Sequence, residues 1–420
     1  MRLPSSTAAL LASAALLLAA APAHAALSLD DAVRLAARES RAIAATQAQA
    51  SAALELAVAA GQRPDPVFKA GIVNLPIDGR DRFTIGRDFM TMRSIGVMQE
   101  LTRADKRQAR SARAASEIDV ADATRAAISA ALQRDAAMAW LERHFLERTQ
   151  ALIQRQRDEA QLQVQAADAA YRGGRGAQAE LFAARSEVAR IDDRAKDIEL
   201  QIAVAKTRLA RWIGPQAEQP LDAAPDLSQA PLDEDRLQRE LARQPQIVLA
   251  ASREHIARAE IELARANLKP DWTVELMYSQ RGSAYSNMVS INFSIPLHVD
   301  RGQRQDRELA ARMAQLEQAK AEREDAERMV LADARVALQQ WRSRRERALH
   351  YDNTLVELAA ERSRAALAAY RGGSSALGAV LDARRNELDT RIERLKLEVE
   401  AAALWAQLAY LFGADVKDKP

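Results

Sequence analysis

The sequence predicts a mainly α-helical protein with a small β part, built from two copies of one structural plan. Of its 420 residues, 28% are charged and only 4% are aromatic, a composition typical of long, thinly packed helices. The line Tyr-Arg-Gly-Gly interrupts two long helical patterns, at 171–174 and 370–373. Two segments, 271–280 and 287–297, alternate apolar and polar residues with a period of two, which indicates strands.

Composition and charge exclude several classes of function. The formal net charge is only +2, which gives no reason to expect nucleic acid as a partner. The chain has no Cys, so disulfides, thiolate metal sites and a lipid-modified N-terminal Cys are excluded. The five His lack metal-ligand spacing, and no nucleophile constellation, phosphate loop or paired-carboxylate site stands out. We therefore expect neither an enzyme nor a bound cofactor.

Residues 1–25 have the pattern of a signal peptide. Arg2 supplies a positive start, Ala8–Ala21 an apolar stretch, and Ala23-His24-Ala25 a small-x-small cleavage site. The apolar stretch is too short for a good membrane anchor. The sequence therefore predicts an exported protein whose mature chain begins at Ala26.

The first predicted repeat, 26–214, begins with a helix and a pair of strands. Ser28 has Asp31 three residues later, a capping-box arrangement that opens a helix, and this helix is expected to end near Ala60. The remaining elements are two strands, a long helix and a shorter helix after the Tyr-Arg-Gly-Gly turn, expected at 67–75, 93–101, 105–170 and up to Trp212.

The second predicted repeat, 233–413, follows a connector rich in Pro, Asp and Gln at 215–232, and a tail at 414–420 ends the chain. Its helices and strands are expected at 233–268, 271–280, 287–297, 303–369 and up to Phe412. The block 171–214 aligns with 370–413 without a gap. Such self-similarity at a fixed spacing indicates an internal duplication.

The second strand pair has one wholly apolar face. In 271–280 the apolar positions are Trp272, Val274, Leu276 and Tyr278. This alternation over about ten residues fits transmembrane barrel strands, with lipid outside and water inside. A soluble β-sandwich is the alternative. Because about eight strands is the lower limit for a membrane barrel, four strands require the chain to oligomerise. Three chains would give twelve strands, although the strands alone do not fix that number.

The helix lengths are consistent with a tunnel. Each long helix spans about 67 residues, or roughly 100 Å, and the two shorter helices of each repeat together match that length. Each repeat could therefore lay one long helix beside two short ones. The Gly pair would supply residues with positive φ where a helical hairpin reverses, far from the strands.

Taken together, these elements resemble the TolC-like outer-membrane efflux proteins. The resemblance includes the opening 27–33, the segment Ser294–Leu297 followed by Asp300-Arg301-Gly302, and both Tyr-x-x-Gly tips. It implies a homotrimer with a twelve-stranded barrel in outer-membrane lipid and an α-helical coiled-coil tunnel across the periplasm. The connector 215–232 would lie in an equatorial belt around the tunnel. The implied partners are a periplasmic adaptor (membrane fusion protein) and an inner-membrane RND-type pump.

The same resemblance assigns roles at the two tips. Tyr370 and Asp382 occupy the positions that constrict the tunnel in the family, although Ser375 replaces the usual basic residue after the Gly pair. The alternative for Asp382 is an exposed helix acid paired with Arg385. The residues expected to contact the adaptor are Tyr171, Arg172, Gly173, Gly174, Arg371, Gly372 and Gly373. For Arg172 and Arg371, a solvated turn position is the alternative.

The resemblance extends to the heavy-metal (copper or cobalt-zinc-cadmium) resistance branch of the family. Asn74-Leu75-Pro76 and the stretch 88–93 carry this part. Met90 and Met92 could offer thioethers to Cu(I), or they could be ordinary apolar residues of a loop or strand. Heavy-metal cations are thus the expected substrates. A drug-efflux or type I secretion duct is an alternative within the family, and a soluble periplasmic coiled-coil adaptor or chaperone is an alternative from another class.

Overall fold

A computed structural model describes residues 26–413 of the protein. The predicted signal peptide at 1–25 and the tail at 414–420 lie outside the described residues. Over that range the first half of the chain forms α1 (Leu29–Glu39), α2 (Arg41–Ala60), β1 (Val67–Val73), β2 (Met92–Leu101), α3 (Ala104–Arg172) and α4 (Gln178–Ile213). The second half forms α5 (Glu234–Glu240), α6 (Pro245–Asn267), β3 (Trp272–Gln280), β4 (Met288–Ser294), α7 (Gln305–His350), α8 (Val356–Arg371) and α9 (Leu377–Ala409).

Helix α1 begins at the predicted capping box. The backbone N–H of Asp31 donates to the Ser28 hydroxyl over 3.1 Å, and that hydroxyl donates to the Asp31 carboxylate over 2.6 Å. The hydrogen bond from Ser28, followed by that from Arg34, lowers the pKa of Asp31. The prediction of one helix up to Ala60 was wrong, because Ser40 has an extended backbone and separates α1 from α2.

The predicted helix 233–268 is also divided. A short 3₁₀ turn, Leu241–Arg243, precedes Gln244, and α6 begins with Pro245. Pro lacks a backbone N–H and is favoured at the first position of a helix. The side chain of Gln244 accepts from the backbone N–H groups of Gln246 and Ile247 at 2.7 and 3.1 Å. A strong local start signal therefore overrides the continuous helical pattern.

Other boundaries also differ from the sequence-based expectation: the first strand ends at Val73 rather than 75, and the last helix ends at Ala409 rather than Phe412. The last strand ends at Ser294 rather than 297, and Pro296 cannot donate a hydrogen bond to a strand ladder. The predicted long helix 303–369 contains one wider π-helical turn, Tyr351–Leu355, between α7 and α8. In that turn Asp352 pairs with Arg394 of α9.

The chain divides into two compact units, each drawing on both repeats. The hairpin unit comprises residues 26–40, 132–231 and 337–410, and the sheet unit comprises 41–131, 232–336 and 411–413. Within the part of the chain that the structure describes, no helix is both long enough and apolar enough to cross a membrane.

The sheet unit contains one antiparallel sheet in the order β1-β2-β3-β4. On one face of the sheet, Lys69 of β1 pairs with Gly96 of β2, Gly96 pairs with Met277 of β3, and Met277 pairs with Ser290 of β4. The residues that alternate with these along each strand form the other face, which is exposed and apolar. This arrangement confirms the predicted alternation. The large side chains of the apolar face include Phe68, Ile95, Val97, Leu276, Tyr278, Val289, Ile291 and Phe293.

Two buried clusters hold the helices of the hairpin unit together. One joins Ile153 and Ala160 of α3 to Ile191 of α4 and Leu388 of α9. The other lies nearer the helix reversals and contains Ala167, Leu181, Ala184, Leu377, Val380 and Leu381. Burying such apolar surface is worth about 25 cal/mol per Å², so these clusters fix the positions of the turns between helices.

Candidate functional site

The first hairpin tip is the reversal between α3 and α4, within the hairpin unit. Gly174 has a φ of +70°, in the left-handed region where Gly pays no steric cost. The backbone N–H of Gly174 donates to Tyr171 O over 3.0 Å, and those of Arg175 and Gly176 donate to Ala170 O over 2.9 and 3.1 Å. These bonds satisfy carbonyls that the end of α3 would leave unpaired.

The second hairpin tip, between α8 and α9, repeats this geometry. Gly373 has a φ of +72°, and its N–H donates to Tyr370 O over 3.0 Å. Both the backbone N–H and the hydroxyl of Ser374 donate to Ala369 O, at 3.0 and 3.1 Å. The second Gly of each pair is therefore the residue with positive φ at the reversal, whereas the sequence analysis expected positive φ from both; Gly372, for example, has a φ of −79°.

The two tips contact each other. The buried cluster around Leu181 and Leu377 takes side chains from both hairpins. In addition, the carboxylate of Glu180 accepts from the backbone N–H of Leu377 over 3.3 Å. The N-cap residue of α9 is Ala376, whose side chain makes no cap hydrogen bond. A side chain from the first hairpin thus caps a helix of the second.

The tyrosines of the two tips have different environments. Tyr370 is half-buried and packs against the shared cluster, whereas Tyr171 is 42% exposed. Arg172 is also exposed and pairs with Asp168 over 2.8 Å, and Arg371 is exposed. The structure therefore brings Tyr370 into the contact between tips and leaves the predicted docking residues on the surface.

Asp382 is exposed on α9, between two buried residues, Leu381 and Ala383. Its side chain is 69% exposed, and a carboxylate oxygen lies 3.6 Å from Arg385 Nη1. The ion pair that the sequence offered as an alternative is therefore present. Arg385 makes a shorter contact, 2.8 Å, with Glu187 of α4, and its pKa is raised chiefly by this hydrogen bond. Arg385 therefore interacts more closely with Glu187 than with Asp382, and Asp382 is the more exposed of its two partners.

Ion pairs between the hairpins are a feature that sequence reasoning missed. Besides the bond from Arg385 to Glu187, Arg194 of α4 pairs with Asp389 of α9 over 2.7 Å. The partners lie nearly 200 positions apart in the chain, so no local spacing rule relates them. The duplication is the one signal that could have placed these helices side by side.

A second polar cluster joins the connector to α3. Leu27 N donates to Pro220 O over 2.8 Å, and Leu27 O accepts from Trp140 Nε1 over 3.0 Å. The buried guanidinium of Arg143 donates to two connector carbonyls, Ala217 O and Gln219 O. The start of the described chain and the connector are therefore both anchored on one turn of α3.

The two methionines predicted as weak metal ligands lie just before and at the first residue of β2. Met90 is exposed in the preceding loop, where its N–H donates to Asp88 over 2.7 Å. Met92 is the first residue of the strand and pairs with Val73. Among residues 26–413, no group of three or more His, Asp and Glu side chains is arranged to hold a metal ion.

Residues 236–414 match the family model for the outer membrane efflux protein family. This part of the chain is therefore similar to outer membrane efflux proteins. This match covers the second repeat, and the structural likeness extends over both repeats. Comparison with curated protein sequences found no significant match.

Solved channels have the same fold. A membrane protein from Pseudomonas aeruginosa superposes with a TM-score of 0.78 at 18% identity, over 92% of this chain and 93% of that one. CusC superposes with a TM-score of 0.76 at 15% identity, over 92% of each chain. The outer membrane protein VceC from Vibrio cholerae superposes with a TM-score of 0.73 at 19% identity, over 92% of this chain and 96% of that one.

The family match confirms the resemblance over residues 236–414, and these folds confirm the fold class read from the sequence, with four strands per chain. The two predicted repeats are consistent with these folds. The family comprises passive trimeric channels rather than enzymes, and its members lie in the outer membrane and extend into the periplasm. Its members also work with adaptors and inner-membrane pumps.

Proposed function

We propose that this protein is the outer-membrane exit duct of a tripartite efflux pump. It conducts substrates passively from the periplasm to the exterior, in company with a periplasmic adaptor and an inner-membrane RND-type pump. The observation that carries the proposal is the sheet, whose alternate side chains form a continuous exposed apolar face. Such a face is stable when it contacts lipid.

The sheet is incomplete as a membrane structure. Strands β1 and β4 are its two edges, and unpaired backbone groups are too costly in hydrocarbon for an edge to remain open. Pairing β1 of one copy with β4 of the next closes the sheet. Three copies give twelve strands, within the size range of outer-membrane barrels.

The tips supply the periplasmic end of the proposed duct. The exposed residues Tyr171, Arg172 and Arg371, with the glycines beside them, form the docking surface for the adaptor. Tyr370 and Asp382 form the constriction. Three exposed Asp382 carboxylates arranged around a narrow pore would favour the passage of cations.

We infer that the transported substrates are heavy-metal cations. The resemblance at 74–76 and 88–93 and the acidic ring support this choice over hydrophobic drugs or secreted proteins. Deletion of the gene should lower survival on copper, zinc, cadmium or silver. New sensitivity to hydrophobic drugs with unchanged metal tolerance would instead assign a drug-efflux role and defeat the metal role.

The alternative of a soluble periplasmic adaptor or chaperone has a direct test. The duct proposal predicts that the protein is recovered with the outer membrane and as a trimer in detergent. Recovery in the soluble periplasmic fraction would defeat it. The structural matches, which cover more than nine-tenths of this chain, support the duct.

A further inference from the structure

Three methionines form a diagonal row across the face of the sheet opposite the apolar one. Met98 of β2 pairs with Glu275, and Met277 of β3 lies two residues further along the same strand as Glu275. Met288 of β4 pairs with Ser279, two residues beyond Met277. Diagonal neighbours in an antiparallel sheet are about 7–8 Å apart, within reach of long side chains. Met98 and Met277, and likewise Met277 and Met288, are such neighbours.

The surroundings leave room for the thioethers to converge. Gly96 lies opposite Met277, and a Cβ at Gly96 would come within 3.3 Å of Met277 Cβ. The absence of a side chain at that position leaves an open space over β2 into which the flexible methionines can fold. Met98 and Met277 are half-buried, and Met288 is 46% exposed, so the row is accessible from solvent.

Packing does not account for methionines on this face. Val67, which pairs with Met98, is the apolar neighbour on this side, and Gly96 pairs with Met277. The other neighbours are polar or charged: Lys69, Ser94, Thr273, Glu275, Ser279, Ser290 and Asn292. The exposed apolar side chains lie on the other side of the sheet, so the methionines do not belong to that apolar face. A soft, polarisable ligand is what methionine contributes at such a position.

The charges next to the row disfavour hard cations. Glu275, directly opposite Met98, is held by Lys69 Nζ at 3.0 Å. Glu100, two residues beyond Met98 on the same face, accepts a hydrogen bond from the Thr102 hydroxyl over 3.4 Å. The carboxylate that lies directly opposite the row is therefore neutralised by an ammonium group. Thioether sulfur binds Cu(I) and other soft ions and binds harder divalent ions poorly.

We propose that Met98, Met277 and Met288 form a binding row for a soft monovalent metal cation, Cu(I) or Ag(I), inside the barrel. This deepens the proposed function and rests on it, because the proposed barrel turns this face of the sheet toward the water-filled interior. It narrows the metal substrate to soft monovalent ions. Conduction needs binding sites that an ion can leave as well as enter. A row of neutral thioethers provides several such weak sites in succession.

The test is methyl NMR of the full-length protein in detergent, labelled with ¹³C at the methionine methyl groups. The probe is Ag(I), with Zn(II) as the contrasting, harder divalent ion. Met98→Leu, Met277→Leu and Met288→Leu assign the three signals, and leucine preserves volume while removing the sulfur. Met313 and Met329, which are 50% and 51% exposed on α7, serve as internal controls for nonspecific thioether binding.

Ag(I) should shift the three row methyls at lower concentrations than it shifts the controls, and Zn(II) should leave them unchanged. Replacing Met277 should also weaken the Ag(I)-dependent shifts of its two neighbours. The proposal is overturned if the row and control methyls respond alike, if the row does not respond, or if Zn(II) shifts the row as Ag(I) does.

A survival experiment separates this proposal from the proposed function. A deletion strain that regains silver tolerance with the parent protein should not regain it with the triple Leu variant, although that variant should still be recovered as a trimer with the outer membrane. If that variant restores full silver tolerance, the proposed role of the methionine row is wrong, whereas the proposed duct function is unaffected. A deletion that changes tolerance to neither metals nor drugs would instead defeat the duct, and the NMR result on Ag(I) binding would be unaffected.

Discussion

The backbone N–H of Leu377, the first residue of α9, donates to the carboxylate of Glu180 in the first turn of α4 over 3.3 Å. The two residues belong to different repeats and are 197 positions apart. A carboxylate at a helix N-terminus satisfies an orphan N–H and also interacts favourably with the helix dipole. One side chain therefore joins the two tips by stabilising a helix end.

Glu180→Ala should loosen the start of α9. Loss of an N-terminal cap costs about 1 kcal/mol, so the amides of the first turn of α9 should exchange with solvent about five times faster. Glu180→Gln retains an acceptor oxygen and should show a smaller increase. Hydrogen exchange of a peptide covering 377–381 provides the measurement. Glu199→Ala, which removes a carboxylate paired with Lys196 elsewhere on α4, is the matched control, and equal exchange in all three variants would contradict the assignment.

Asp382→Asn should reduce the cation selectivity of the trimer in planar bilayers. The substitution removes three carboxylates from the proposed constriction and keeps side-chain volume, so the reversal potential in a salt gradient should move toward the nonselective value. Asp389→Asn is the control, because Asp389 is also exposed on α9 but pairs with Arg194 at 2.7 Å. An unchanged reversal potential for Asp382→Asn, or an equal change for both variants, would remove Asp382 from the constriction.

Local signals were enough to predict some elements of this fold. Ser28 with Asp31, and the Gly pairs with Gly174 and Gly373, act within a few residues, and the structure forms the cap and both reversals as expected. The alternation of apolar and polar residues in β3 and β4 is likewise a local signal, as expected of a sheet with lipid on one face and water on the other.

Other features depended on contacts that no local pattern encodes. Ser40 lies in a continuous helical pattern and yet adopts an extended conformation. The bond between Arg385 and Glu187 joins residues 198 positions apart. The position of Asp382 relative to its copies depends on assembly of three chains, which the sequence and a single chain leave open. For these reasons the tip turns were predictable, whereas the interactions that hold the tips together were not.

Tyr410→Phe should make the protein more resistant to alkali. Burial, with a smaller contribution from Asp30, raises the pKa of Tyr410 to about 12, whereas an unfolded Tyr titrates near 10. Its contribution to stability is therefore complete below about pH 10 and is lost as the pH rises toward 12.

The measurement is the melting temperature of the trimer at pH 8 and pH 11. The difference between the two temperatures should be smaller in Tyr410→Phe than in the parent. Tyr171→Phe is the control, because Tyr171 is 42% exposed and its removal should leave the difference unchanged. If the two variants show the same difference in melting temperature between pH 8 and pH 11, Tyr410 is not the group that destabilises the protein in alkali.

Gly282→Ala should separate two loops of the sheet unit. A Cβ on Gly282 would lie 2.2 Å from the carbonyl oxygen of Gly86, a distance that only movement of the backbone can relieve. The same contact region holds Arg281, whose guanidinium donates to Phe89 O and lies over the Tyr285 ring at 4.9 Å. Separation of the loops should make the backbone at Arg87 and Arg281 more mobile, and trypsin should cleave there faster than in the parent. Gly302→Ala is the control, since a Cβ at Gly302 would meet no atom within 4 Å. If the two variants resist trypsin equally, the close approach of Gly86 and Gly282 does not hold these loops together.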